Sequence, residues 1–293
     1  MTQLVESDNV SDAWLRAMRA LRDEKGEAAN LIVCLHSPVM ECLAVTAALN
    51  ALLESHPKAF PIEKIAGTIF PREFYLPDRL GTDAQSHLYQ NHRMARVIED
   101  RWNRKGNYFD RMVRWPGRAG TEINQLEEKI CYYRAEVGRG KRVCNAFEIA
   151  LSSPEGAPCE DEERAIQIYD PERDRSIMSF PCLSHISISM TKGQLHMTAT
   201  YRNQFFLQKA YGNYFGLLRL LNFLAREIGT EVGDLVCIAT HADDEIGKSG
   251  FKRSDTNRLL EECENMMQTV PSVPFELSYV RPVASKSQTM LAV

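Results

Sequence analysis

Patterns for a membrane span, a secretory signal and a cysteine-built metal site are all missing from this sequence, and none of the three is expected. No apolar run approaches the roughly 20 residues that cross a bilayer. The opening Met-Thr-Gln-Leu-Val-Glu-Ser-Asp is polar and acidic, unlike the basic-then-apolar order of a secretory signal. Eight cysteines are scattered at 34, 42, 131, 144, 159, 182, 237 and 263 with no Cys-x-x-Cys pair, which argues against a zinc site made of cysteines. These absences point to a cytoplasmic protein with reduced thiols. A basic excess is missing too. Lys+Arg number 35 against 39 Asp+Glu, a net charge of −4, so attraction to phosphate backbones gives no reason to expect a general nucleic-acid binder. His36, His56, His87, His92, His185 and His196 show no metal-ligand spacing, and no metal is expected. There is no repeat and no low-complexity segment.

What is present is an ordinary globular composition, 44% hydrophobic and 25% charged over 293 residues, enough for a full core. Apolar residues at helical spacing predict helices over 11–23 (Ser11 as N-cap), 41–55, 87–102, 122–137, 214–228 and 255–268. Short apolar or alternating runs predict strands over 30–36, 143–151, 183–190, 194–202, 235–240 and 275–283. Lys192-Gly193 reads as the hairpin turn between two of them. Pro61, Pro71 and Pro77 make 60–90 look mainly like loop. The acidic, Pro-rich stretch 153–163 reads as an exposed excursion. Interleaved helices and strands with a hairpin predict an α/β (α+β) fold with a mixed sheet in one domain, 1–293.

The chemistry centres on Cys182, after Pro181, with Arg202 20 residues on and Asn213 a further 11. A thiolate is a nucleophile that needs electropositive surroundings to form near neutral pH. Arg202 can lower the Cys182 pKa and bind a phosphate. Asn213 carries a donor and an acceptor and can pair with O4 and N3–H of uracil, whereas an aspartate would suit cytosine better. Attack of a thiolate at C6 of the ring makes C5 nucleophilic enough to take a one-carbon unit.

These residues and spacings resemble the thymidylate synthase and pyrimidine nucleotide hydroxymethylase family, most clearly over 108–245. The resemblance implies a thymidylate synthase-like fold and a homodimer with active sites shared between subunits. It makes Cys182 the nucleophile, Arg202 the phosphate anchor and Asn213 the base reader. Lys141 and Arg142 stand where the family has basic residues that reach the partner's phosphate. Glu73 is the nearest candidate for the catalytic glutamate, by its offset from that pair. The implied substrate is a pyrimidine nucleoside 5′-monophosphate, and the implied donor is methylenetetrahydrofolate. The ending Met290-Leu-Ala-Val293 is similar to the family's closing C-terminal tail. The sequence also departs from the pattern. Arg202-Asn203-Gln204-Phe205 puts Phe205 where the family has a folate-contacting aspartate, with Asn203 beside it in the substrate set. Asp243-Asp244-Glu245 replaces a His-x-Tyr that grips the sugar, leaving Asp243 at the sugar position. Altered folate and sugar contacts keep a second reading open, a nucleotide binder without the folate reaction. A third follows from Thr240-His-Ala-Asp-Asp-Glu245, similar to the His-Pro-Asp-Asp-Glu motif of a family of zinc-dependent deacetylases.

Overall fold

The computed structural model describes residues 2–76, 82–99, 107–116, 121–138, 165–167, 181–247 and 250–275. In chain order come β1 (Gln3–Asn9), α1 (Val10–Asp23), β2 (Glu27–Glu41), α2 (Leu43–Glu54), α3 (Ile62–Gly67) and a 3-10 turn (Arg72–Phe74). Then follow α4 (Thr82–Glu99), α5 (Tyr108–Val113), β3 (Trp115–Pro116), β4 (Glu122–Ile123), α6 (Gln125–Gly138) and β5 (Ala165–Gln167). The last group is β6 (Leu183–Thr191), β7 (Gln194–Tyr201), β8 (Gln204–Phe205), a π-helical turn (Phe206–Ala210), α7 (Tyr211–Ile228), β9 (Glu231–Asp243), α8 (Arg253–Thr269) and β10 (Val273–Pro274).

Period-two alternation explains the main sheet. Its order is β1-β2-β9-β7-β6-β5, with β10 on β2 and β8 on β9. β1 runs parallel to β2, and β7 parallel to β9, while β2–β9, β6–β7 and β5–β6 are antiparallel. This is the mixed α/β architecture expected from the sequence, and it is consistent with a thymidylate synthase-like fold. Val5, Leu31, Val33, Ile186, Ile188, Met197, Ala199, Leu235 and Cys237 all belong to one buried core with the helices. Successive side chains of a strand point to opposite faces. The second face therefore carries Leu4, Ile32, Thr198, Thr200, Val236 and Ile238, of which Leu4 is 60% exposed and the others half-buried.

Several boundaries differ from expectation for identifiable reasons. The cap of α1 is Asn9, whose side chain accepts from the N–H groups of Ser11 and Asp12; Ser11 is inside the helix, its hydroxyl 2.8 Å from that of Tyr211. The helix expected from 41 begins at Leu43, because Glu41 is still in β2 and pairs with Val273. Residues 60–76 are not mainly loop. Pro61 precedes α3 and Pro71 precedes the 3-10 turn, positions at a helix start where a missing N–H costs nothing. The expected strand over 143–151, the excursion over 153–163, and all of 275–283 beyond Phe275 lie outside the described residues.

The helix expected from 214 begins earlier, and Gly212 sits inside it. The reason is close packing on α3. A Cβ on Gly212 would stand 2.7 Å from Ile65 Cβ, and one on Gly216 would stand 2.7 Å from the Ala66 carbonyl oxygen. Backbone cannot yield as a flexible side chain can. Gly216→Ala should therefore destabilise by about 1–3 kcal/mol, read as a lower urea midpoint at unchanged slope. An unchanged midpoint would mean that α3 and α7 do not pack this closely.

Candidate active site

The hairpin brings Cys182 and Arg202 together. Lys192 and Gly193 turn the chain with φ of 53° and 83°, and the register pairs Leu183 with Tyr201. The residues just outside that pair are 182 and 202. The Arg202 backbone N–H donates to the Cys182 carbonyl at 2.9 Å, and Arg202 Nη2 donates to the Pro181 carbonyl at 2.7 Å. The Leu183 N–H donates to the Tyr108 hydroxyl at 3.4 Å, tying α5 to the same corner. Cys182 itself is half-buried and free.

Beyond β7 the chain passes through β8, leaving Phe205 37% exposed, and enters the π-helical turn. Trp14 Nε1 holds that turn by donating to the Phe206 carbonyl at 2.9 Å. The turn carries Gln208 and Lys209. Gln208 donates to Glu245 twice, from its backbone N–H to Oε2 at 3.0 Å and from Nε2 to Oε1 at 2.5 Å. Lys209 Nζ lies 4.8 Å from the Phe60 ring centroid, and Lys64 Nζ 4.4 Å from it. Glu245 adopts a left-handed φ of 61°, its N–H donating to Asp243 Oδ1 at 2.7 Å. Such strain in a non-glycine residue costs roughly 1–3 kcal/mol and concentrates at functional sites.

Burial pushes the Cys182 thiol up, while the Arg202 and Lys209 cations pull it down; burial wins, so Arg202 alone does not give a low-pKa thiol. Burial also lowers the Lys209 amine, opposed by the charges of Glu245 and Cys182. Lys209 thus feels the charges of both the thiol and the carboxylate. Glu245 is raised from 4.5 to about 7, chiefly by burial, with the two Gln208 bonds acting against it.

A carboxyl that ionises near 4.5 unfolded and about 7 folded favours folding while protonated. That contribution is whole below the unfolded value and is lost as pH rises through 7; its size is on the order of 2–3 kcal/mol. Glu245→Gln removes it. Urea unfolding at pH 4.5 and pH 8 should show the variant gaining on the native protein at the higher pH. A difference that stays constant would mean Glu245 ionises normally.

The other expected site residues are dispersed. Asn213 is 5% exposed in the first turn of α7. Asn203 Oδ1 is 2.7 Å from His241 Nδ1, at an exposed position. Asp243 is buried at the end of β9. Glu73 is exposed on the 3-10 turn, and no hydrogen bond or ion pair joins it to Cys182 or Arg202 among the described residues. Lys141, Arg142 and the tail 290–293 lie outside the described residues. Sequence reasoning missed Lys209, Gln208 and the role of Glu245. Only the acidic run at 243–245 offered a signal, and it read as a sugar contact or a zinc motif. Within that run Asp243 and Asp244 accept from the N–H groups of Glu245 and Ile246, while His241 turns to Asn203. Their carboxylates are used in turning the chain, which gives the zinc-deacetylase reading no support.

Next to Gln208 is a cavity of about 450 Å³, lined also by His56, Pro57, Lys58 and Gly250. Its size is within the range of small-molecule sites. Arg202 and Lys209 act on the thiol, Lys64 shares the Phe60 ring with Lys209, and Lys58 lines the cavity.

No family model matches the sequence. Among curated proteins, the chain is similar to a putative thymidylate synthase of Methanosarcina barkeri, 29% identical over 80 residues, which is 27% of this chain and 37% of that protein. It is likewise similar to a putative thymidylate synthase of Methanothermobacter marburgensis, 30% identical over 78 residues, 26% of this chain and 35% of that one. The alignments thus span little more than a third of those relatives' length, and they support a distant thymidylate synthase-like relationship.

Proposed function

We propose that this protein binds a pyrimidine nucleoside 5′-monophosphate and transfers a one-carbon unit to C5 of its base. The observation that carries the reading is the half-buried Cys182 thiol with Arg202 bonded alongside it and Lys209 acting on it from the π-helical turn. A phosphate drawn to Arg202 sets the base over the thiol. Lys209 favours the thiolate, which adds at C6. Asn213 pairs with O4 and N3–H, spreading the charge that develops on the ring and preferring uracil. Glu245, ionising near 7, has the proton affinity suited to taking the C5 proton at neutral pH. It fills the acid–base role more naturally than the exposed Glu73.

Methylenetetrahydrofolate is the donor this chemistry implies, and it would supply the carbon electrophile. The chain's residues fit it in part. Phe205 offers an exposed aromatic face, and Lys58 at the cavity suits a carboxylated cosubstrate. The thymidylate synthase-like reading carries a homodimer with it, in which Lys141 and Arg142 of one subunit would reach the phosphate held by the other. Asn203 and Asp243 are left for the sugar side.

The test is exchange of the C5 hydrogen and formation of a C5-substituted product. UMP, dUMP, CMP and dCMP are each incubated with the protein and methylenetetrahydrofolate and read by mass spectrometry. Mass gain at C5 with one of them identifies base, sugar and product together. Tight binding with no exchange would favour a nucleotide binder lacking the transfer step. The upward-shifted Cys182 thiol and the exposed Phe205 are the features that reading would rest on.

A further inference from the structure

Away from Cys182, on the open face of the sheet, four side chains with metal-binding chemistry meet across three strands. Cys34 and His36 are two residues apart in β2 and share a face. Glu6 of β1 is directly opposite Cys34. On the other side Leu35 pairs with Leu235 in an antiparallel register, which sets Asp234 of β9 opposite His36. Side-chain distances agree with this backbone placement. Cys34 Sγ is 3.9 Å from His36 Nδ1. Glu6 Oε1 is 3.6 Å from His36 Nε2, and Asp234 Oδ2 is 3.5 Å from Nδ1. One ligand atom each from Glu6, Cys34 and His36 lies within 4.8 Å of the other two.

We infer that Glu6, Cys34 and His36 form a site for a thiophilic divalent cation of the zinc class, with Asp234 positioning the imidazole. Donors on a tetrahedral zinc sit about 3.3–3.6 Å from one another, given metal–ligand bonds of 2.0–2.3 Å. With Nδ1 of His36 facing Asp234, Nε2 is the nitrogen left for the ion; the Glu6 carboxylate is 3.6 Å from it, and rotation of the Cys34 side chain, now beside Nδ1, brings the sulfur to the same ion. The donor set selects the ion: a thiolate and an imidazole suit zinc, whereas magnesium and calcium take oxygen alone. Three protein ligands leave a fourth position for water or another donor. A carboxylate beside the imidazole fixes its tautomer and orientation, as at many metal-bound histidines. Cys34 is 9% exposed, so its sulfur is held in place by the fold rather than swinging in solvent. The competing arrangement is a charged His36 ion-paired between two carboxylates, with no metal.

Untagged full-length protein, loaded with zinc and dialysed against a weak chelator, distinguishes the two. Retention of close to one zinc per chain is expected, together with a thiolate-to-cobalt charge-transfer band after substitution with Co²⁺. Cys34→Ser should abolish the band, and Cys34→Ser and His36→Gln should each weaken zinc binding by more than about tenfold. Asp234→Asn should weaken it by roughly 10- to 100-fold through the imidazole. His36 is half-buried at the surface, so His36→Gln leaves the core intact. Protein that retains no zinc and shows no cobalt band overturns the site, as does metal uptake unchanged by both ligand substitutions. Nucleotide binding at Cys182 plays no part in these readouts.

Discussion

Cys182→Ala should cut C5 exchange and product formation by roughly 10³-fold or more, the scale of losing a covalent nucleophile. Nucleotide affinity should change by no more than about threefold, because Arg202 and Asn213 hold the ground state while the thiol acts only as the ring is attacked. The native rate should also climb with pH, since burial raises the Cys182 thiol and the reactive thiolate becomes more abundant as pH rises. Isotope exchange and calorimetry on the same preparation read both quantities. Turnover that survives the substitution would remove Cys182 from the chemistry. Equal losses in binding and turnover would make it a structural thiol.

The largest effect on stability is expected at Trp14. Its side chain is fully buried, stands edge-on to Tyr211 with centroids 5.7 Å apart, and donates to the Phe206 carbonyl. Trp14→Ala empties that space and leaves a buried carbonyl without its donor, a loss of about 3–5 kcal/mol. In a chain of this size that lowers the thermal midpoint by roughly 10 °C. Trp14→Phe keeps the ring but not the N–H, and should cost about 1–3 kcal/mol. Because the π-helical turn anchored by Trp14 carries Gln208 and Lys209, the phenylalanine variant should also lose turnover while still folded. A Trp14→Ala loss under about 1 kcal/mol would contradict the packing.

The elements legible in the sequence were those with a local cause. The stripe Trp14, Leu15, Met18 and Leu21 specified α1, and Lys192-Gly193 specified the hairpin. The turn alone would set residue 183 opposite 202; an irregularity between Leu183 and His185 shifts the register by one, so that Leu183 pairs with Tyr201 and residues 182 and 202 meet. Elements with a distant cause were not legible. β1 is polar and becomes a strand by pairing with β2. Gly212 read as the boundary before a helix from Tyr214, yet it lies inside α7 at the place where α3 approaches. Gln208 and Glu245 meet because a π-helical turn and the stretch after β9 converge, and nothing in their spacing says so. The same holds for Glu6, Cys34 and His36. Cys34-x-His36 is a pair within β2, and only pairing with β1 and β9 adds Glu6 and Asp234 to it.

The central place of β9 also bears on how the chain is made. β2 needs β9 on its inner edge, with Leu31 against Ala239, and β7 needs it too. About 200 residues separate β2 from β9, and at ribosomal speeds of about 5–20 residues per second they take on the order of 10–40 s to synthesise. Throughout that time β1 is, among the described residues, the one strand paired with β2, and an apolar strand edge faces solvent or a chaperone. Folding yield should therefore depend on what shields that edge during translation, and a nascent chain stalled before Glu231 should be prone to aggregate.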